Sequence, residues 1–214
     1  MTDSPKVARK PRRPRKRVQY GEGREALLKA AVRVVARGGL RELTYRAVAE
    51  EAGVTHGLVV HHFGSRDALI AEAFAHTVRA SVRSSLLEPG TGEVTDFATG
   101  LTTMVTSEPE TQAFQYELLL ESRRRPELLP RIRELYDEYF DATRRELARM
   151  LPGGADFPLA GLVFAALEGL VLHQLVLADS EMTEAALTEL RSLLKVLATD
   201  RAGQATPGAT TKAS

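Results

Sequence analysis

A chain of 214 residues that is 43% hydrophobic can bury one large or two small cores, and its lack of cysteine excludes a disulfide framework and thiolate chemistry. The formal net charge of +1 hides an asymmetry: residues 1–17 carry eight basic side chains against the single acid Asp3, and the remainder is net acidic. An acidic body with a basic arm points to a polyanionic partner reached by one end, and the charged N-terminus does not read as an apolar secretory signal.

The arm, residues 1–20, comes first. Pro5, Pro11 and Pro14 block a helix there, and like-charge repulsion predicts disorder in the free protein. Arg12, Arg13, Arg15 and Arg17 are its candidate contacts to a phosphate backbone or a narrow minor groove. The plain alternative is a solvated tail.

Residues 23–38 read as a helix, because Leu27, Ala30, Ala31, Val34 and Val35 form one apolar stripe and Gly38-Gly39 stops it. Leu40 and Leu43 then enter the core. The next stretch, TYRAVAEEAGVTHGLVVHHF (44–63), carries the first functional signal. Thr44 is placed to cap a short helix whose Ala47, Val48, Ala49 and Ala52 point inward. Gly53 supplies the turn, Val54 plugs it, and Thr55 is placed to cap a second helix that buries Leu58 and Val59. Two helices joined by a short glycine-containing turn is the geometry that lays a recognition helix in a DNA major groove. With Val59 inward, Thr55, His56, Gly57, Val60, His61 and His62 are the groove candidates, and Thr44 can hold a phosphate. The bland reading of the same spacing is an αα-hairpin inside a helical protein.

Ser65 and Asp67 start a long fourth helix through Leu69, Ile70, Ala73, Phe74 and Val78 to about Leu87, followed by a loop at 88–93. A fifth helix is predicted over 94–106, with Phe97, Leu101, Met104 and Val105 on one face. Pro109 opens a sixth, with Phe114, Leu118 and Leu119. Pro126 and Pro130 open a seventh that runs to about Leu151. Residues 158–178 are apolar almost all round, close to the length that crosses a bilayer, but Glu168, His173 and Gln174 interrupt them. Burial on two sides is the better account, one side on the chain's own body and one on a second copy. A ninth helix over 184–198, with Ala186, Leu187, Leu190, Leu193, Leu194 and Leu197, suits the same isologous interface, and 200–214 reads as a polar tail.

Catalytic signatures are missing from the sequence. It has no G-x-S-x-G elbow, phosphate-binding loop or dinucleotide fingerprint. His56, His61 and His62 have no carboxylate at ligand-like spacing, so no metal or cofactor is expected.

The stretch HHFGSRDALIAEAF (61–74) resembles the sequence that follows the recognition helix in the TetR family of bacterial repressors. There an aromatic residue closes that helix, a short polar turn follows, and a long linking helix begins. The resemblance is specific over residues 23–75. It implies an all-α fold, with a three-helix head (21–66) joined by a long helix to a helical ligand-binding and dimerisation body (67–199). It implies a cytoplasmic regulator that binds a palindromic operator as a homodimer and is released by a small apolar or amphipathic effector. It places Arg46 as a base-reading arginine and Arg66 as a phosphate contact. Where the family often has Thr-Leu-Tyr, this chain has Leu58-Val59-Val60, so those two hydroxyls are gone. It also implies a pocket in the body, for which Phe97, Leu101, Met104, Phe114, Glu117, Leu118, Tyr136, Phe140, Phe164 and Glu168 are the candidates. Glu117 or Glu168 would suit a cationic or hydroxyl-bearing ligand. The rivals are a non-specific architectural DNA binder led by the arm, and a helical small-molecule enzyme that keeps the head as scaffold.

Overall fold

The computed structural model describes residues 20–83 and 90–205. The described residues are helical throughout, without a strand. Residues 1–19, with Arg12, Arg13, Arg15 and Arg17 of the basic arm, lie outside them, as do 84–89 and 206–214.

The head contains α1 (Tyr20–Gly38), α2 (Tyr45–Glu51) and α3 (His56–Phe63). Thr44 caps α2 as its spacing predicts, its Oγ1 accepting from the Ala47 N–H at 3.1 Å. Gly53 turns the chain at φ 67°, a left-handed angle that glycine adopts without a Cβ clash. Val48, Ala49 and Val59 close the space between the two helices. Phe63 seals the lower end of α3, and Gly64 ends that helix at φ 67°.

The linking helix α4 (Arg66–Arg83) starts where Ser65 Oγ accepts from the Ala68 N–H at 3.1 Å. The body follows as α5 (Leu101–Ser107), α6 (Pro109–Glu121), α7 (Leu129–Met150), α8 (Phe157–Leu177) and α9 (Ser180–Ala205). Two apolar clusters hold the molecule together. One runs from the head through α4 into Phe114 and Leu118 of α6 and Ile132 and Leu135 of α7. The other joins Phe97, Leu101 and Val105 to Leu147, Val163, Leu167, Leu187 and Leu194. Helix α6 therefore belongs to both halves: its Phe114 and Leu118 are buried in the head's own core. A polar tie crosses the same junction, where Arg125 donates to Asp67 in the first turn of α4 at 3.0 Å.

Two expected elements differ. The predicted fifth helix is broken: a 3-10 turn (Val94–Asp96) is followed by Ala98 at φ 55° and Gly100 at φ 87°, and only then does α5 begin. The break is held from outside, because Arg191 Nε donates to the Phe97 carbonyl at 2.8 Å. The last helix passes 199 and reaches Ala205, with Arg201 donating to the Gly154 carbonyl at the α7–α8 turn.

Helix α8 buries Ala160, Val163, Phe164, Leu167 and Gln174. Its other side leaves Leu162 69% and Val176 68% exposed, and on α9 Leu193 is 67% and Val196 69% exposed. Leu187 and Leu194, grouped from sequence with the self-association stripe, are instead core residues of their own protomer. The period of α9 allows two apolar stripes, and the inner one is already covered.

Candidate functional site

Exposure along α3 follows the helical period. Val59 and Phe63 are buried, while His56, Gly57, Val60 and His61 are exposed, with Thr55 exposed just ahead of them. Arg46 and Thr44 are exposed at the start of α2. The His56 ring meets the Tyr45 ring edge-on at 5.8 Å, which links the starts of the two helices. Thr55 occupies the N-cap position of α3, but its hydroxyl makes no cap hydrogen bond, contrary to the sequence expectation. The Leu58 N–H goes to the Thr55 backbone carbonyl at 3.1 Å instead.

Two members of the predicted DNA-facing set have other surroundings. His62 is half-buried beside Phe63, 6.1 Å between ring centroids. Burial, then the charges of His61 and Arg24, hold its imidazole below the ordinary 6.5, and Glu72 opposes them weakly. It is a flank of the head's core rather than part of the exposed face. Arg66 is half-buried, its Nε donating to the Leu43 carbonyl at 2.7 Å and its Nη2 to the Leu40 carbonyl at 2.5 Å. The Leu40 carbonyl also accepts from the Leu43 N–H at 3.3 Å, which closes the 3-10 turn (Leu40–Glu42) ahead of α2, so the guanidinium clamps α4 to the entry of the helix-turn-helix.

The body holds an apolar cavity of about 100 Å³, partly open to solvent, between α5, α6, α7 and α8. Of the predicted lining, Leu101, Met104, Tyr136, Phe164 and Glu168 face it. Phe97, Phe114 and Leu118 are core instead, and Phe140 backs the wall by packing on Phe164, 5.0 Å between centroids. Glu117 is exposed on the head side of α6, its carboxylate 3.4 Å from where a Cβ on Gly39 would sit. The sequence reading chose the wrong face of α6. The residues it missed there are Gln112, Gln115, Tyr116 and Leu119, one stripe at helical spacing. Ile132, Leu135, Tyr139, Leu167 and Val171 complete the wall from α7 and α8.

The polar groups converge on Glu168. The Tyr136 hydroxyl donates to its carboxylate Oε1, and the Tyr116 hydroxyl donates to its backbone carbonyl at 2.8 Å. Burial foremost, and then the nearby carboxylate, push both phenols up from their ordinary value, so both stay protonated donors.

A helix-turn-helix head fused through a shared helix to a helical body defines a DNA-binding transcriptional regulator. The chain belongs to the TetR family of transcriptional regulators: the family model for bacterial regulatory proteins of the tetR family matches residues 27–73, and the model for the tetracyclin repressor-like C-terminal domain matches 92–196. The HTH-type transcriptional regulator BetI of Brucella anthropi is 38% identical over 56 residues, which are 26% of this chain and 29% of BetI. The match thus spans under a third of that relative's length. A TetR-family member from Streptomyces coelicolor A3 is 27% identical with a TM-score of 0.63, over 83% of this chain and 98% of that one. The multidrug binding protein EbrR, solved with proflavin, is 26% identical with a TM-score of 0.55, over 81% and 99% of the two chains.

Proposed function

We propose that this regulator is a cytoplasmic repressor that binds a near-palindromic operator as a homodimer and leaves it when a small apolar or amphipathic molecule enters the body cavity. The observation that carries this reading is the placement of α6 between the head's core and the cavity. Tyr116 and Leu119 line the cavity, while Phe114 and Leu118 on the other face are packed into the head. An occupant that shifts α6 therefore acts on the head through close-packed side chains, which transmit displacement rather than absorb it. The ligand needs only to favour one setting of α4 and α6 over another to change the spacing of two heads. EbrR, with proflavin bound, supports a ligand site in a body of this fold.

On the DNA, Arg46 is the candidate for a bidentate guanine contact. His61, Val60, Gly57, His56 and Thr55 are the candidates for the groove floor and Thr44 for a phosphate. The exposed apolar faces of α8 and α9 are the natural cover for each other's copies across a twofold axis. The arm supplies sequence-independent attraction that the net acidic body lacks.

Selection of bound genomic fragments by the full chain tests this. The expected result is one shared near-palindrome with half-site centres about one helical turn or more apart. Fragments with no common sequence would refute it. On the selected site, deleting residues 1–17 is expected to flatten the plot of log affinity against log salt by about 0.9 for each phosphate that the arm neutralises, with sequence preference kept. An unchanged slope would reduce the arm to a solvated tail.

A further inference from the structure

We propose that the body cavity is a site for a small organic cation of the alkylammonium or quaternary ammonium class. In this proposal Glu168 neutralises the charge, and Tyr116, Tyr136, Tyr139 and Phe164 hold the alkyl groups. It rests on the reading of the cavity as the effector site and adds the chemistry of the effector.

Among the described residues, Glu168 is the one ionisable carboxylate in the lining, and no lining residue is cationic. An ionised carboxylate against an apolar wall loses hydration, and hydrogen bonds alone replace only part of it. The Tyr136 hydroxyl supplies one such bond to Oε1. Tyr116 leaves the carboxylate alone and pins the backbone carbonyl of the same residue at 2.8 Å, which fixes the turn of α8 that presents it. Donors are thus provided and positive charge is not.

The rings give the same sign. Tyr136 lies edge-on to Phe164 at 5.6 Å, and Tyr139 stacks on Phe164 at 5.5 Å. Aromatic faces carry negative potential and attract a cation without demanding directional bonds. A carboxylate and aromatic faces around one cavity favour a cation and repel an anion, so ligands that end in a carboxylate are disfavoured. Gln112 and Gln115 can orient a ligand's polar group but cannot balance its charge. Size adds a limit. The cavity is about 100 Å³. A cavity of about 150 Å³ is known to hold benzene, so the space within the site suits a compact head group rather than a fused-ring system.

The test uses the full chain with tetramethylammonium chloride and with tert-butanol, a neutral globular molecule of similar size, against sodium chloride at equal ionic strength. Calorimetry and thermal unfolding report binding. Tetramethylammonium is expected to bind and raise the unfolding temperature, and tert-butanol is expected to do neither. Glu168→Gln keeps the shape and an acceptor for Tyr136 but removes the charge, and is expected to weaken tetramethylammonium by about tenfold or more. Tyr136→Phe keeps the ring, releases the carboxylate, and is expected to bind tetramethylammonium at least as well as the parent. The proposal is overturned if tert-butanol binds as tightly as the cation, if Glu168→Gln binds the cation unchanged, or if neither probe binds. Cation binding that leaves operator affinity unaltered keeps the site and removes its effector role. Release of operator by neutral molecules in the same cavity keeps the effector role and removes the cation.

Discussion

The double variant Leu193→Glu, Val196→Glu is expected to remain folded and to sediment as a monomer at micromolar concentration, where the parent chain is expected to sediment as a dimer. Both side chains are about two-thirds exposed in the protomer, at 67% and 69%, so charge there costs little within one chain. In a twofold interface each charge is buried against its own copy's apolar face, and an unpaired buried charge has nothing to offset its lost hydration. The loss for two central apolar positions is about 2–4 kcal/mol or more, the range of interface hot spots. Leu194→Glu gives the contrast. Leu194 is 3% exposed in the protomer's own core, so that variant should lose folded structure rather than only its partner. Sedimentation with far-UV circular dichroism separates the two outcomes. A dimeric Leu193→Glu, Val196→Glu variant would move the interface elsewhere.

The second large effect is on sequence discrimination. Arg46→Ala and His61→Ala should each cost about 1–3 kcal/mol on the selected operator and little on scrambled duplex. Arg46 stands exposed at the start of α2, and His61 stands on the exposed face of α3. His62→Ala is the internal control, since its half-buried ring packs beside Phe63. It should lower the stability of the head and leave the specificity ratio nearly intact. Competition binding on both duplexes reads all three. Unchanged ratios in the first two variants would mean that another face of the head meets the groove.

These expectations rest unevenly on what the chain itself makes legible. The head is readable because its determinants are local: Thr44 caps the helix that it begins, and Gly53 turns the chain where it stands. The roles of Arg66 and His62 are not local. Arg66 bonds carbonyls 23 and 26 residues away, and no pattern around position 66 shows that the fold brings those acceptors within its reach. The body shows the same division. The existence and order of its helices follow from stripes and prolines, but α6 is apolar on two faces. Phe114 and Leu118 look as suited to a pocket as Tyr116 and Leu119. Only the packing of α1 on α6 decides that the first pair belongs to the head. Likewise the two apolar stripes of α9 are equivalent in sequence, and the covering of Leu187 and Leu194 by the protomer leaves Leu193 and Val196 outward.

If cavity and operator compete through one structure, reciprocity measures the competition directly. A compound bound by the full chain is titrated into free protein and into protein saturated with the selected operator, and operator affinity is measured with and without that compound. Linkage requires the two ratios to agree, since each is the same coupling free energy read from one side. Both affinities are expected to weaken by a common factor of about 5–150, with a further loss of coupling when Tyr116 or Leu119 is altered on the cavity face of α6. A compound that fills the cavity tightly and leaves operator affinity unchanged would contradict this coupling.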